Sequence, residues 1–121
     1  MAAPNIVNVA TIKGNTNVAV LGATSGNIVT NTASSGKVFK VNTVILSNFD
    51  GTTAYDATIT LFSARAGATK NLVSTVSVPA DASLVVIDKT TAIYMEEGDI
   101  LAGLASAANK IDVTVSFEEI S

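Results

Sequence analysis

The segment from Ile111 to Glu118 alternates apolar and polar residues at every position, which is the signature of a half-buried β-strand. An apolar face of this kind has to be covered by a second layer of the same fold. The pattern therefore predicts a layered β structure. The side chains expected to point into the core are Ile111, Val113, Val115 and Phe117.

Short β-prone segments separated by turn residues recur along the rest of the chain. They predict eight to ten short strands and no helix longer than one turn, which is typical of a sandwich or a jelly roll. We expect one all-β domain over residues 1–121, an antiparallel β-sandwich that is jelly-roll-like. Besides the last strand, the expected strands cover residues 17–22, 27–31, 37–48, 55–63, 72–78, 84–87, 93–95 and 100–105.

Two turn signals predict reversals between neighbouring strands. Asp50-Gly51 follows the longest β-prone segment, and the strand from Tyr55 is expected to return beside it as a hairpin. Gly98 lies between two apolar segments, which predicts a second antiparallel pair. The acidic residues around Gly98 are interpreted as solvated turn residues that hold this pair in register; they are Glu96, Glu97 and Asp99.

Strict alternation along residues 37–48 makes both faces of that strand partly apolar. Phe39, Val41 and Ile45 fall on one face. Val38, Val44 and Leu46 fall on the other. The strand is therefore expected in the middle of a sheet, with one end of its second face covered by a loop or a partner.

The composition excludes many functional classes. The 121 residues contain no cysteine and no histidine, so thiolate chemistry, zinc–thiolate sites and the commonest general base are missing. Ten acids against seven bases give a net charge of −3 with no basic cluster, which argues against nucleic-acid binding. No apolar segment approaches the length of a membrane span. The sequence predicts no catalytic site, no cofactor and no metal site.

Two regions are candidates for contact with another protein. Residues 1–12 are β-prone and uncharged, and they fit either a first strand of their own domain or an arm that packs on a neighbouring subunit. Two aromatic residues flank the Asp50 turn and are expected to be partly exposed, either as a contact patch or as a cap on the end of the barrel. The candidate contact residues are Asn5, Ile6, Val7, Val9, Ile12, Phe49 and Tyr55.

Four segments together resemble small virion proteins of tailed bacteriophages, of the kind found in marine and cyanobacterial phages. These segments are MAAPNIVNVATI, GKVFKVNTVILSN, STVSVPADASLVVIDKTTAIYMEEGD and VTVSFEEIS. The resemblance implies a non-enzymatic structural protein that is made in the host cytoplasm and resides in the virion. Its implied partners are the major capsid protein or other virion proteins, and copies of itself, with a trimer favoured.

Three roles are open at this point. A head decoration, or cement, protein is favoured because a short domain without a fibre-forming segment suits that role. A neck, tail or fibre-associated adaptor or receptor-binding protein is the first alternative. A carbohydrate-binding module is the second, although a chain without tryptophan has few aromatic rings for stacking on sugars.

Overall fold

The computed structural model describes residues 11–121, and this part of the chain contains nine β-strands and one short 3-10 turn at Lys89–Thr91. The strand that ends at Val78 is followed directly by Pro79, which has no backbone N–H for a ladder. The strands are β1 (Ile12–Val20), β2 (Gly26–Thr30), β3 (Val38–Asn48), β4 (Tyr55–Ser63), β5 (Ala68–Val78), β6 (Ser83–Ile87), β7 (Ile93–Met95), β8 (Ile100–Ala105) and β9 (Ile111–Ile120).

The strands form two antiparallel sheets. Sheet 1 has the order β1-β9-β3-β6, and β7 also pairs with β3. Because β6 pairs with residues 44–47 and β7 with residues 39–41 of β3, they act as one edge strand that the 3-10 turn interrupts. Sheet 2 has the order β2-β8-β4-β5. This strand order is that of a jelly roll, so the prediction of an all-β, jelly-roll-like sandwich is confirmed.

The core lies between the sheets and consists almost entirely of aliphatic side chains. β9 pairs with β1 on one side and with β3 on the other, so its alternating side chains reach the centre of the core, as its pattern predicted. Phe39 and Phe117 stack there with their ring centroids 5.0 Å apart. The largest fully buried apolar side chains are Leu46, Ile59, Met95, Leu101, Ile111, Val41, Val44, Val78, Val113 and Val115.

Both predicted reversals connect the two sheets instead of forming hairpins. β3 belongs to sheet 1 and β4 to sheet 2, so the Asp50 turn crosses the sandwich. The chain likewise passes at Gly98 from β7 in sheet 1 to β8 in sheet 2. The hairpin predictions were wrong because turn residues show that the chain changes direction, whereas the sheet that the next strand joins depends on distant pairing partners.

A bulge in β3 corrects the predicted faces of that strand. The register with β9 shifts between Val41 and Thr43, so one extra residue interrupts the alternation. Phe39 and Val41 therefore share the core face with Val44 and Leu46, and all four are buried. Ile45 and Val38 lie on the outer face, where Ile45 is half-buried and Val38 is buried. The covered end of the second face agrees with the sequence, but the predicted faces were wrong.

Candidate functional site

A buried amide fixes the loop that carries the two candidate aromatic residues. Asn48, at the end of β3, is 2% exposed. Its Nδ2 donates to the carbonyl oxygens of Thr53, at 2.9 Å, and of Val78, at 3.0 Å. Its Oδ1 accepts from the backbone N–H of Asp50 at 2.9 Å. One side chain thus joins the end of β3 to the β3–β4 connection and to the end of β5.

Asp50, two residues after Asn48, closes the loop with its carboxylate. Its Oδ1 accepts from the backbone N–H and hydroxyl of Thr52 and from the backbone N–H of Thr53. Its Oδ2 accepts from the Lys110 ammonium at 3.2 Å and from the Tyr55 hydroxyl at 3.3 Å. These bonds, first the one from the Thr52 backbone, hold the pKa of Asp50 well below its usual range. The bond to Asp50 also raises the pKa of Lys110.

The two candidate aromatic residues have different environments. The Phe49 side chain is 52% exposed, although its backbone N–H donates to the carbonyl oxygen of Lys110 at 3.1 Å. Tyr55 is half-buried and packs against the core, and the Lys110 ammonium lies 5.7 Å from its ring centroid. Phe49 is therefore the ring that this loop presents to solvent, whereas Tyr55 mainly supports the loop.

The hydrogen bonds to the Asp50 carboxylate predict how the stability of the protein changes in acid. A carboxyl whose pKa is lowered in the folded protein stabilises the fold above its unfolded value of 3.8, and this contribution is lost as the pH falls through the lowered value. We expect Asp50→Asn to lower the thermal midpoint at pH 7 and to lose less stability than the wild type between pH 5 and pH 2. Thermal unfolding followed by circular dichroism across this range measures both effects. Asp56→Asn, on the neighbouring strand, is the control, and an unchanged acid limb in Asp50→Asn would contradict the assignment.

The structure describes one of the N-terminal candidates. Ile12 is the first residue of β1, pairs with Ile120 of β9, and is 58% exposed. The first strand that the structure describes therefore begins at the last residue of the segment 1–12, and whether that segment is a strand or an arm stays a prediction. The remaining candidates lie outside the described residues, and their role as contacts stays a prediction; they are Asn5, Ile6, Val7 and Val9.

Two exposed apolar residues of β1 were missed by the sequence analysis. Val18 is 73% exposed and Val20 is 49% exposed, and both lie on the same outer face as Ile12. The alternation from Ile12 to Val20 contains this signal. It shows two faces, however, and only the pairing of Val18 with the outward-facing Thr114 identifies the apolar face as the outer one.

The opposite end of the sandwich contains a polar cluster that we name the Asn31–Asp99 cluster. Asp99 is 3% exposed; its Oδ1 accepts from the Ala64 N–H at 2.9 Å and its Oδ2 from the Glu96 N–H at 2.8 Å. The Asn31 N–H donates to the Asp99 carbonyl oxygen at 3.0 Å, and the Gly98 N–H donates to the Asn31 carbonyl oxygen at 2.7 Å. The cluster links the β2–β3, β4–β5 and β7–β8 connections at this end of the sandwich.

The prediction that the acids around Gly98 face water was therefore wrong. Asp99 is buried, and Glu97 accepts from the Gly36 N–H at 2.7 Å through its Oε2. Glu96 forms an ion pair with the exposed Arg65. Backbone N–H groups left free at loops need acceptors, and the carboxylates of Asp99 and Glu97 supply them. Within residues 11–121, no group of three or more acidic residues is placed to hold a metal ion.

One depression on sheet 2 offers hydroxyl and amide groups but no acid or base. It is open and shallow, with a volume of about 270 Å³. Its lining cannot transfer a proton to or from a substrate, because no side chain there titrates near neutral pH. The lining residues are Ser25, Asn27, Thr60, Phe62, Thr69, Ile100 and Ala102. The helical part of residues 11–121 is also too short to cross a membrane.

Comparisons with known proteins show the fold and no family. No protein-family model and no curated protein matches the chain. A chain from the structure of Bacillus endospore appendages, a family of disulfide-linked pili, superposes with a TM-score of 0.54 at 17% identity, over 92% of this chain and 87% of that one. A chain of infectious bursal disease virus, Gx strain, gives a TM-score of 0.43 at 12% identity. It is covered over 33% of its own length and 93% of this chain. The fold of this protein is thus also found in a pilus subunit, whose disulfide links have no counterpart in a chain without cysteine.

Proposed function

We propose that the chain is a non-enzymatic structural protein of a bacteriophage particle, and that it binds the head lattice as a decoration, or cement, protein. The observation that carries this proposal is the exposed Phe49 ring on a loop that the side chains of Asn48 and Asp50 hold in place. The resemblance of four segments of the sequence to phage virion proteins supplies the kind of particle. The major capsid protein, or another virion protein, is then the partner.

The loop that carries Phe49, residues 49–54 between β3 and β4, has the physical properties of a preformed contact. Asn48 and Asp50 hold its backbone through four hydrogen bonds, and the Asp50 carboxylate also accepts from the Thr52 hydroxyl. Binding therefore orders little additional chain, and less of the interaction energy is lost to conformational entropy. An exposed aromatic ring on such a loop is a typical anchor for a pocket on a partner.

The surface composition supports contact with protein. Charged residues make up 14% of the chain, well below the share of about 25% that is usual for soluble domains. Interfaces are depleted of charges at their centre, so such a surface loses little solvation energy on assembly. The same fold occurs in the disulfide-linked pili of Bacillus endospore appendages, which supports an assembly role for this chain as well.

Mass spectrometry of particles purified from the virus that encodes the chain tests the proposal. We expect a copy number comparable with that of the major capsid protein, because a cement protein occupies repeated positions on the lattice. A handful of copies per particle would instead assign the chain to the neck, tail or fibres. Absence from the particle, together with saturable binding to a polysaccharide array, would favour the carbohydrate-binding alternative.

The contact itself is tested with two variants of exposed aromatic residues. Phe49→Ala should weaken binding of the purified protein to particles that lack it by about tenfold or more, as expected for removal of an aromatic anchor. Tyr94→Ala is the matched control, since Tyr94 is 47% exposed on β7. Co-sedimentation with particles measures both affinities. Equal binding by both variants would remove Phe49 from the contact.

A further inference from the structure

Strand β1 has its apolar side chains on the outer face of sheet 1, whereas a strand that contributes only to its own core has them on the inner face. Ile12, Val18 and Val20 point to the outer face of sheet 1 and are between 49% and 73% exposed. On the face toward the sandwich, Asn15 donates to a Glu119 carboxylate oxygen at 3.1 Å. No element within residues 11–121 covers this row, and because burial of apolar area is favourable, such a row indicates a surface that is buried on assembly.

Within residues 11–121, β1 is paired on one side only, and its other edge is a regular template for another strand. β1 pairs with β9 through nine consecutive residue pairs without a register shift. Thr11 and Ser121 exchange two backbone hydrogen bonds, of 3.1 and 2.9 Å, just before this ladder begins. Because hydrogen-bonded pairs alternate in an antiparallel ladder, the odd-numbered residues of β1 bond to β9. The backbone N–H and C=O groups of the even-numbered residues therefore face the open edge; they belong to Ile12, Gly14, Thr16, Val18 and Val20.

The other sheet edges in residues 11–121 are interrupted. β2 has five residues and a register shift, and the β6/β7 edge is split by the turn at Lys89–Thr91. β5 pairs with β4 through two register shifts, and its Thr75 has a φ of 51°. Bulges and short strands of this kind protect natural sheet edges from pairing with other chains. β1 has neither device.

We propose that β1 pairs antiparallel with β1 of a second copy of this chain, around a two-fold axis at Thr16. A heterologous ring needs a second regular edge to receive β1, whereas a two-fold pair needs only β1 itself. In this register each even-numbered residue meets an even-numbered one, so the open backbone groups of the two strands bond to each other. The two copies of sheet 1 then form one continuous sheet.

Side-chain complementarity supports this register. Ile12 lies opposite Val20 of the second copy. Gly14 lies opposite Val18, and no heavy atom comes within 4 Å of the position that a Cβ on this glycine would take, so the valine has room. Thr16 meets itself, which is a favourable cross-strand pair. Lys13 is the only charged residue of β1, and it lies opposite Ala19, so no like charges meet. The proposal does not depend on which particle the chain belongs to.

A charge placed at Thr16 tests the two-fold pair. Thr16 is exposed and is replaced without loss of core contacts, but Thr16→Lys puts two ammonium groups opposite each other in the pair. We expect the wild type to sediment as a dimer of the 12.3 kDa chain, and Thr16→Lys to dissociate about 100-fold more readily. Thr69→Lys is the matched control, because it makes the same change at an exposed position of the edge strand β5.

Mixing two variants makes the test specific to the register. Thr16→Asp alone should also be monomeric, whereas an equimolar mixture of Thr16→Lys and Thr16→Asp should dimerise again through opposite charges. The circular dichroism spectra of both variants should match that of the wild type, which excludes misfolding, whereas loss of the dimer by itself lowers the unfolding midpoint. A monomeric or trimeric wild type, a dimer that Thr16→Lys leaves intact, or a mixture that stays monomeric would each overturn the proposal.

Discussion

Replacing Asn31 by alanine is expected to lower the free energy of unfolding by about 3 kcal/mol. Asn31 follows β2 and is fully buried. Its Nδ2 donates to the carbonyl oxygens of Lys37, at 2.9 Å, and of Met95, at 3.0 Å. Its Oδ1 accepts from the Ser35 hydroxyl at 2.6 Å. Alanine leaves two carbonyl oxygens and one hydroxyl without these partners, and each unpaired buried polar group costs about 1–3 kcal/mol.

The Asn31 variants are measured by urea unfolding, with Asn27→Ala as the control on the exposed side of β2. The thermal midpoint of Asn31→Ala should fall by roughly 10 °C, given the unfolding entropy of a domain of this size. Asn31→Asp should be at least as destabilising, since its carboxylate would face two carbonyl oxygens where the amide donates. If Asn31→Ala were as stable as Asn27→Ala, the amide would have no structural role.

The sequence was most informative where local periodicity alone decides the structure. The ends of β7 and β8 lie at the predicted residues, and the core face of β9 is the predicted one. The strand count and the layered architecture follow from such local patterns, because a strand with one apolar face needs a covering layer. Local pattern therefore sufficed for the fold class.

Features that depend on distant residues were not predictable in this way. The bulge between Val41 and Thr43 is defined by the register with β9, about 75 residues later in the chain, and no local residue marks it. The burial of Asp99 likewise depends on a distant residue, Ala64, which directly follows β4 and donates its N–H to the Asp99 carboxylate. An acid beside a glycine looks the same in sequence whether it faces water or closes a loop.

The candidate site was only partly predictable, because some of its contacts join residues that lie far apart in the chain. The Asp50 turn between Phe49 and Tyr55 identified the loop, and it is Phe49 that the structure exposes. The pairing of Lys110 with Asp50 joins residues 60 positions apart and could not be read from either segment. The outward face of Val18 likewise became visible only through its pairing with Thr114.

Replacing Asp99 by alanine is expected to destabilise the protein by about 3 kcal/mol and to open the same end of the sandwich. The Asp99 carboxylate accepts one backbone hydrogen bond across the fold, from Ala64, and one within its own turn, from Glu96. Hydrogen bonds to a charged acceptor contribute about 1.5–3 kcal/mol each. Asp99→Asn keeps one acceptor oxygen but turns an amide donor toward the other N–H, so it should recover little of the lost stability.

Amide hydrogen exchange separates this local role from a general loss of stability. In Asp99→Ala the amides of Ala64 and Glu96 should exchange faster than global unfolding of the variant alone explains, because their acceptor is gone. Asp112→Ala is the control, since Asp112 lies on the outer face of β9, where its partners Val20 and Ser47 also point outward. Unchanged protection of Ala64 in Asp99→Ala would show that its N–H is satisfied without the carboxylate.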